Sequence, residues 1–279
     1  MEADIIVFNN DSGGKMDSFS HVTLSDEKIP VLHTGGEKLV TVICAPDKGR
    51  YKDADVSSFQ AFARDAAAEF RFDSPSSPTM SGSCVLGDSC SVMMSRVLSE
   101  VRLNSVSCDL TGSDAEGETI TDVKAYLINV SALCRMLGES PYLTSELINH
   151  AEVRQDDLNS LNEGLVLCRE MDDLATGTQY NPGIGFHCYP NQNPEDTQLC
   201  PFTRLVIEGR IRGNIYYWPV NIGRDAGGDG IARGRVYDLD VHISRPGSTD
   251  PDIPASEAAV TVKCNSNIWN EKDEQYEIF

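Results

Sequence analysis

Apolar and polar positions alternate with a period of two along most of this chain. "ADIIVF" and "EKLVTVICA" are short β-branched runs, the second bounded by Gly35-Gly36 and Pro46, and both predict strands. Residues 55–70, "DVSSFQAFARDAAAEF", carry the one helical period: Val56, Phe59, Ala63, Ala66 and Phe70 fall on one face. The turn-rich "DSPSSPTMSGS" ends that helix. From Val97 to Leu110 the alternation resumes, and "TDVKAYLINVSALC" follows a Gly- and Asp-rich turn, which predicts a meander pair. "FTRLVIEGRI" and "IYYWPVNI", separated by Arg212-Gly213-Asn214, predict a hairpin. "VYDLDVHISR" is a further strand, with Val236, Leu239, Val241 and Ile243 as its apolar members.

The pattern breaks at "RMLGESPY", placing a boundary at 138–142 and dividing the chain into units of 1–140 and 141–279. Residues 143–182 are polar and read equally as helix or loop. Many short strands and one helix predict a mainly β protein of two tandem β-sandwich domains, the helix lying in the first.

Composition narrows the function. The net charge is −20, from 43 acidic and 23 basic residues, which argues against a nucleic-acid or anionic-membrane surface. No apolar run approaches the ~18 residues of a membrane span. The chain opens on "MEADIIVFNN" without a signal-peptide pattern, so its start leaves location open. Of nine cysteines, Cys84 with Cys90 and Cys188 with Cys200 flank polar loops and are candidate disulfide staples, whereas Cys44, Cys134 and Cys264 sit in apolar or alternating stretches as small buried side chains. There is no CxxC, and the five histidines are scattered, so no zinc site is expected.

Motifs for catalysis are missing. No G-x-S-x-G, H-E-x-x-H or P-loop occurs, and no cofactor is implied. "GRDAGGDG", with Asp225 and Asp229, lacks the acidic spacing of a calcium loop and reads as a flexible connection. The paired acids in "QDD" and "MDD" read as solvated loop carboxylates, and Arg96 and Arg102 as strand residues facing solvent or acids.

The C-terminal stretch "RPGSTDPDIPASEAAVTVKCNSNIW" joins a segment with three prolines to a cleanly alternating strand. Val260, Val262, Cys264 and Ile268 share one face, and Thr261, Lys263, Asn265 and Asn267 the other. Two readings stand. The strand crosses to a sheet of its own domain, or it is donated to a groove in a neighbouring subunit.

Several pieces together resemble the fimbrillins, the FimA-type pilins of Bacteroidales type V pili. They are "GEKLVTVICAPDKGRYKDADVSSFQAF", "PTMSGS", "SRVLSEVRLNSV", "RLVIEGRIRGNIYYWPVNI", "IARGRVYDLDVHISRPGSTDPDIP" and "VTVKCNSNIW", with Trp269 ending the last. The resemblance covers most of the chain but is weak between about 140 and 200. It implies transthyretin-like sandwiches and a non-enzymatic pilus subunit on the cell surface, made as a lipoprotein precursor and exported to an outer-membrane fimbrium. It further implies polymerisation with other pilin subunits by donor-strand exchange. Val260, Val262, Cys264, Ile268 and Trp269 would form the donor strand, and "YEIF" a further short piece. Arg50 lies downstream of where that family is processed. A tip adhesin binding host glycan or matrix protein, and a lipidated anchor that never polymerises, are the alternatives within the same architecture.

Overall fold

The computed structural model describes residues 1–24, 28–44, 51, 55–137, 145–224, 227–256, 258–269 and 275–278. It is mainly β and built as tandem sandwiches. The first unit centres on a five-stranded sheet in the order β2 (Met16–Thr23), β1 (Glu2–Asn9), β3 (Lys38–Cys44), β5 (Met80–Leu86), β7 (Ser95–Arg96). Both of its faces are apolar. Ile5, Val7, Val40, Val42 and Met80 enter one core, while Ile6, Phe8 and Ile43 enter another with Phe62 and Phe70. The near-unbroken apolar runs of β1 and β3 follow from this two-sided burial.

The second unit packs two further five-stranded sheets around the core that also takes Ile6, Phe8 and Ile43. One orders β13 (Cys168–Glu170), β9 (Thr119–Ile128), β17 (Arg204–Ile211) and β18 (Asn214–Asn221), with β14 (Leu174–Ala175) also on β9. The other orders β15 (Thr178–Tyr180), β8 (Ser99–Cys108), β19 (Arg235–Ile243) and β20 (Val260–Ile268), with β16 (Ile184–Cys188) also on β8. Two small pairs accompany these sheets: β10 (Val130–Ser131) with β12 (Leu147–Ile148), and β11 (Leu133–Arg135) with β4 (Ala67–Glu69). A last pair joins β6 (Cys90–Met93) to β21 (Gln275–Ile278).

The predicted hairpin is present: β17 and β18 are antiparallel, and Arg212 and Gly213 both take positive φ (51° and 80°), as a two-residue turn of this hand requires. The helix and the meander pair need correction. The helix α1 runs only Phe59–Asp65, started by Ser58, whose Oγ accepts from the Ala61 N–H. Ala67–Glu69 then leaves it to pair with β11, so Ala61 and Phe62, not Val56, form the buried side. Strands β8 and β9 are not a meander pair; they lie in opposite sheets, β8 parallel to β19 and β9 antiparallel to β17. Strands β8 and β9 thus pair with strands from the C-terminal half, and residues 138–142, like Arg50 and Asp225, lie outside the described residues. The polar stretch 143–182 holds one short helix, α2 (Gln155–Asn159), and small edge strands.

Candidate functional site

The C-terminal 35 residues visit both units, and their path defines the site. The proline-rich arch after β19 is fixed to its own unit at three points. Trp218 Nε1 donates to the Arg245 carbonyl at 2.9 Å. Tyr217 and Ser248 exchange backbone bonds of 2.9 and 2.8 Å. Asp252 accepts from Asn129 Nδ2 at 2.7 Å and from Arg204, whose buried guanidinium also meets Asp196. Gly247 passes so close to β18 that a Cβ there would lie 2.1 Å from the Tyr217 carbonyl oxygen, so no other residue fits. Three prolines shape this arch; hydrogen bonds hold it.

Beyond the arch, β20 pairs with β19 along all nine of its residues. Of the two readings of this strand, the structure has it in its own sheet. Val260 is buried, and Val262 and Cys264 pack half-buried on the main core. Ile268, expected to point inward, is 64% exposed, because the sheet ends there and nothing described covers it. Trp269 then turns back onto the protein. Its N–H donates to the Gly234 carbonyl at 2.9 Å, its ring stacks at 25° and 6.3 Å on His187, and the Arg96 guanidinium lies 5.1 Å from its centroid. Arg96 thus faces an aromatic ring, not open solvent.

Past residues 270–274 the chain reappears as β21, antiparallel to β6 in the first unit. Ile278 pairs opposite Cys90, forms a parallel bridge with Ile29, and is wholly buried with Ile5, Val7, Val40, Val42 and Val92. The C-terminal strand of the chain therefore completes the core of its N-terminal sheet. Strand β6 is fixed to receive it: Cys84 and Cys90 form a disulfide (Cα–Cα 6.2 Å), and Gly82 lets β6 cross at a distance where a Cβ would meet the Met93 carbonyl oxygen at 2.3 Å. The other candidate staple is absent. Cys188 and Cys200 are both free thiols, Cys188 being sealed in the core with its pKa pushed far up by burial.

Two contacts that the sequence pattern does not reveal tie the units together beside this path. Arg233 donates to the Met136 carbonyl at 2.9 Å, to Ser81 Oγ at 3.0 Å and to the Ser95 carbonyl at 3.1 Å; burial lowers its pKa. Tyr189 donates to Asp73 Oδ2 at 2.9 Å, and Asp73 Oδ1 accepts from the Thr79 N–H at 2.8 Å. Desolvation raises the Asp73 carboxyl above its ordinary value despite these bonds. The partners of Arg233 and Tyr189 lie 97 to 152 residues away, which leaves no local periodicity to read.

A polar groove crosses the outer face of β8, β19 and β20, lined by Ser105, Ser107, Gln179, Asp240, Val241, His242, Thr261, Val262 and Lys263. Its serine hydroxyls are already engaged, Ser105 on Asp240 at 2.6 Å and Ser107 with His242 Nδ1 at 2.9 Å. None of its lining residues is aromatic. No metal-holding cluster occurs among the described residues.

No family model and no curated protein matches the chain. Solved structures do. A fimbrilin (FimA) from Porphyromonas gingivalis superposes with a TM-score of 0.63 at 13% identity, over 96% of this chain and 90% of that one. A candidate cell adhesion protein from Bacteroides eggerthii gives 0.62 at 15% identity, over 99% and 90%. Another from Parabacteroides distasonis gives 0.62 at 14% identity, over 98% and 89%. At these identities what is shared is the fold, and it is shared across nearly the whole of each chain: this protein has the architecture of a Bacteroidales fimbrilin.

Proposed function

We propose that this chain is a non-catalytic structural subunit of a cell-surface fimbrium, linked to other pilin subunits through its C-terminal strand. The observation that carries the reading is the position of β21. Four residues, reached from Trp269 through residues 270–274, complete a core at the opposite end of the chain. Backbone pairing of this kind does not depend on which copy supplies the strand. Exchange between copies conserves the ladder and the burial of Ile278, so concentration sets the balance. Likeness of fold to a fimbrilin over both full lengths supports the same reading.

The geometry refines which part would be exchanged. Releasing β20 would break a nine-residue ladder and uncover Val260 and the main core. Releasing β21 costs a four-residue ladder and the burial of Ile278, about 1.5–3 kcal/mol for that side chain. Within the donor segment Val260, Val262, Cys264 and Ile268 therefore stay with β19, Trp269 acts as the pivot, and β21 passes to the neighbour. A sugar-binding tip adhesin would profit from a stacking platform, which the polar groove on β8, β19 and β20 does not offer.

Full-length protein and a variant ending at Trp269 are compared over a range of concentrations by size-exclusion chromatography and electron microscopy. The expected result is rods from the full chain and a folded monomer from the variant, which then binds a peptide of residues 270–279. Rods from the variant would sink the reading.

A further inference from the structure

Lys38 is sealed from solvent at one corner of the first sheet, with a relative exposure of 1%. Its Nζ donates to Asn9 Oδ1 at 2.5 Å and to Thr34 Oγ1 at 2.9 Å, and lies 3.1 Å from Asp17 Oδ2. Asn9 and Lys38 are directly opposed in the ladder between β1 and β3, so their side chains share one face. Asp17, on β2, is aimed by Thr34, whose Oγ1 and N–H each donate to one of its oxygens at 2.7 Å. Those bonds, the Thr34 hydroxyl first, hold the Asp17 carboxyl below its ordinary value, so it stands as a carboxylate beside the Lys38 amine.

An amine, a side-chain amide and a carboxylate thus meet at hydrogen-bond distance on three adjacent strands. These are the groups of an intramolecular transamidation: nucleophile, electrophile and proton carrier. We propose that Lys38 and Asn9 join through an isopeptide bond, with Asp17 moving the protons. Asp17 takes a proton from the Lys38 ammonium, and the freed Nζ lone pair attacks Cγ of Asn9. In the tetrahedral intermediate, Asp17 delivers that proton to Nδ2 and accepts the second from Nζ. The Cγ–Nδ2 bond breaks, the carbonyl re-forms, and ammonia leaves, taking the last proton from Asp17 as ammonium. One C–N bond replaces another, with no oxidant, reductant or further reactant. The product ties β1 to β3 covalently at the sheet corner, where a fibre under tension would otherwise open.

Intact-mass spectrometry of the full chain, denatured and reduced after incubation at mildly alkaline pH, tests this. The wild type is expected to be lighter than its sequence by about 17 Da, one ammonia. Its tryptic map should contain a branched peptide linking positions 9 and 38. Lys38→Arg and Asp17→Asn should both show the full sequence mass. A wild type at full mass overturns the proposal. So does a loss that persists in Lys38→Arg, which marks a succinimide at an asparagine. The wild-type mass and peptide map decide the matter even where a variant fails to fold.

Discussion

Ile278 lies opposite Cys90 in the ladder between β21 and β6, and Cys90 is itself bonded to Cys84. The final strand therefore rests on a covalently closed hairpin, while its own attachment is four residues long. A fixed acceptor and a short, separable donor are what an exchange joint needs, since the groove keeps its shape when the donor changes. Ile278→Ala should destabilise the first unit by about 2–4 kcal/mol, the cost of truncating a buried aliphatic side chain. Faster amide exchange in β6 and β3, with Trp218 fluorescence unchanged, would be the signature; equal loosening of β17 and β18 would contradict it.

The same hairpin sets a cysteine prediction. Alkylation of the native, unreduced protein should label Cys200 readily, leave Cys188 unlabelled until denaturation, and never label Cys84 or Cys90. Cys84→Ser should cost about 2 kcal/mol, the value for closing so short a loop, and weaken binding of a 270–279 peptide to the variant ending at Trp269.

Arg233 joins the loop before β19 to Ser81 and Ser95 of the first sheet and to the Met136 carbonyl. Arg233→Ala removes several charged hydrogen bonds and leaves buried acceptors unmet, which should cost about 3 kcal/mol. The two units should then unfold in separate steps on chemical denaturation. Arg233→Lys should not restore the single step, because one ammonium cannot span this fork of acceptors.

His187 gives the pH dependence. Burial holds its pKa below the ordinary 6.5, with Glu100 opposing, and Nδ1 accepts from the Val166 N–H at 3.3 Å, so the folded protein keeps it neutral. The unfolded chain binds the proton more readily. Stability is therefore complete above the unfolded value and falls as pH drops from about 6.5 towards the lower folded value. Thermal melts across this window should show the slope, with Trp269 emission changing in step, and His187→Gln should flatten it. A melt independent of pH in the wild type would rule the effect out.

How much was legible before folding divides along contact range. Apolar runs place β1 and β3, and alternation places β8, β9, β17 to β20 and most of their inward residues, because period-two burial is a property of consecutive positions. The Arg212-Gly213 turn was equally local, since two positive φ values there fix the hairpin. The helix after Ser58 was placed but overextended: its propensity continues through Ala66–Ala68, and only the waiting edge of β11 pulls those residues into a strand.

What local pattern could not contain is the choice of partner. Nothing in β8 or β9 says that they enter opposite sheets. The cysteines show the same limit: Cys84 and Cys90 meet because a hairpin closes between them, whereas Cys188 is drawn into the core and away from Cys200. The alternation of Val260 to Ile268 made a half-buried strand certain and left its host open. Folding settled it in favour of β19, and sent the less regular β21 to β6, because pairing energy belongs to two strands together and burial to the space that several strands enclose.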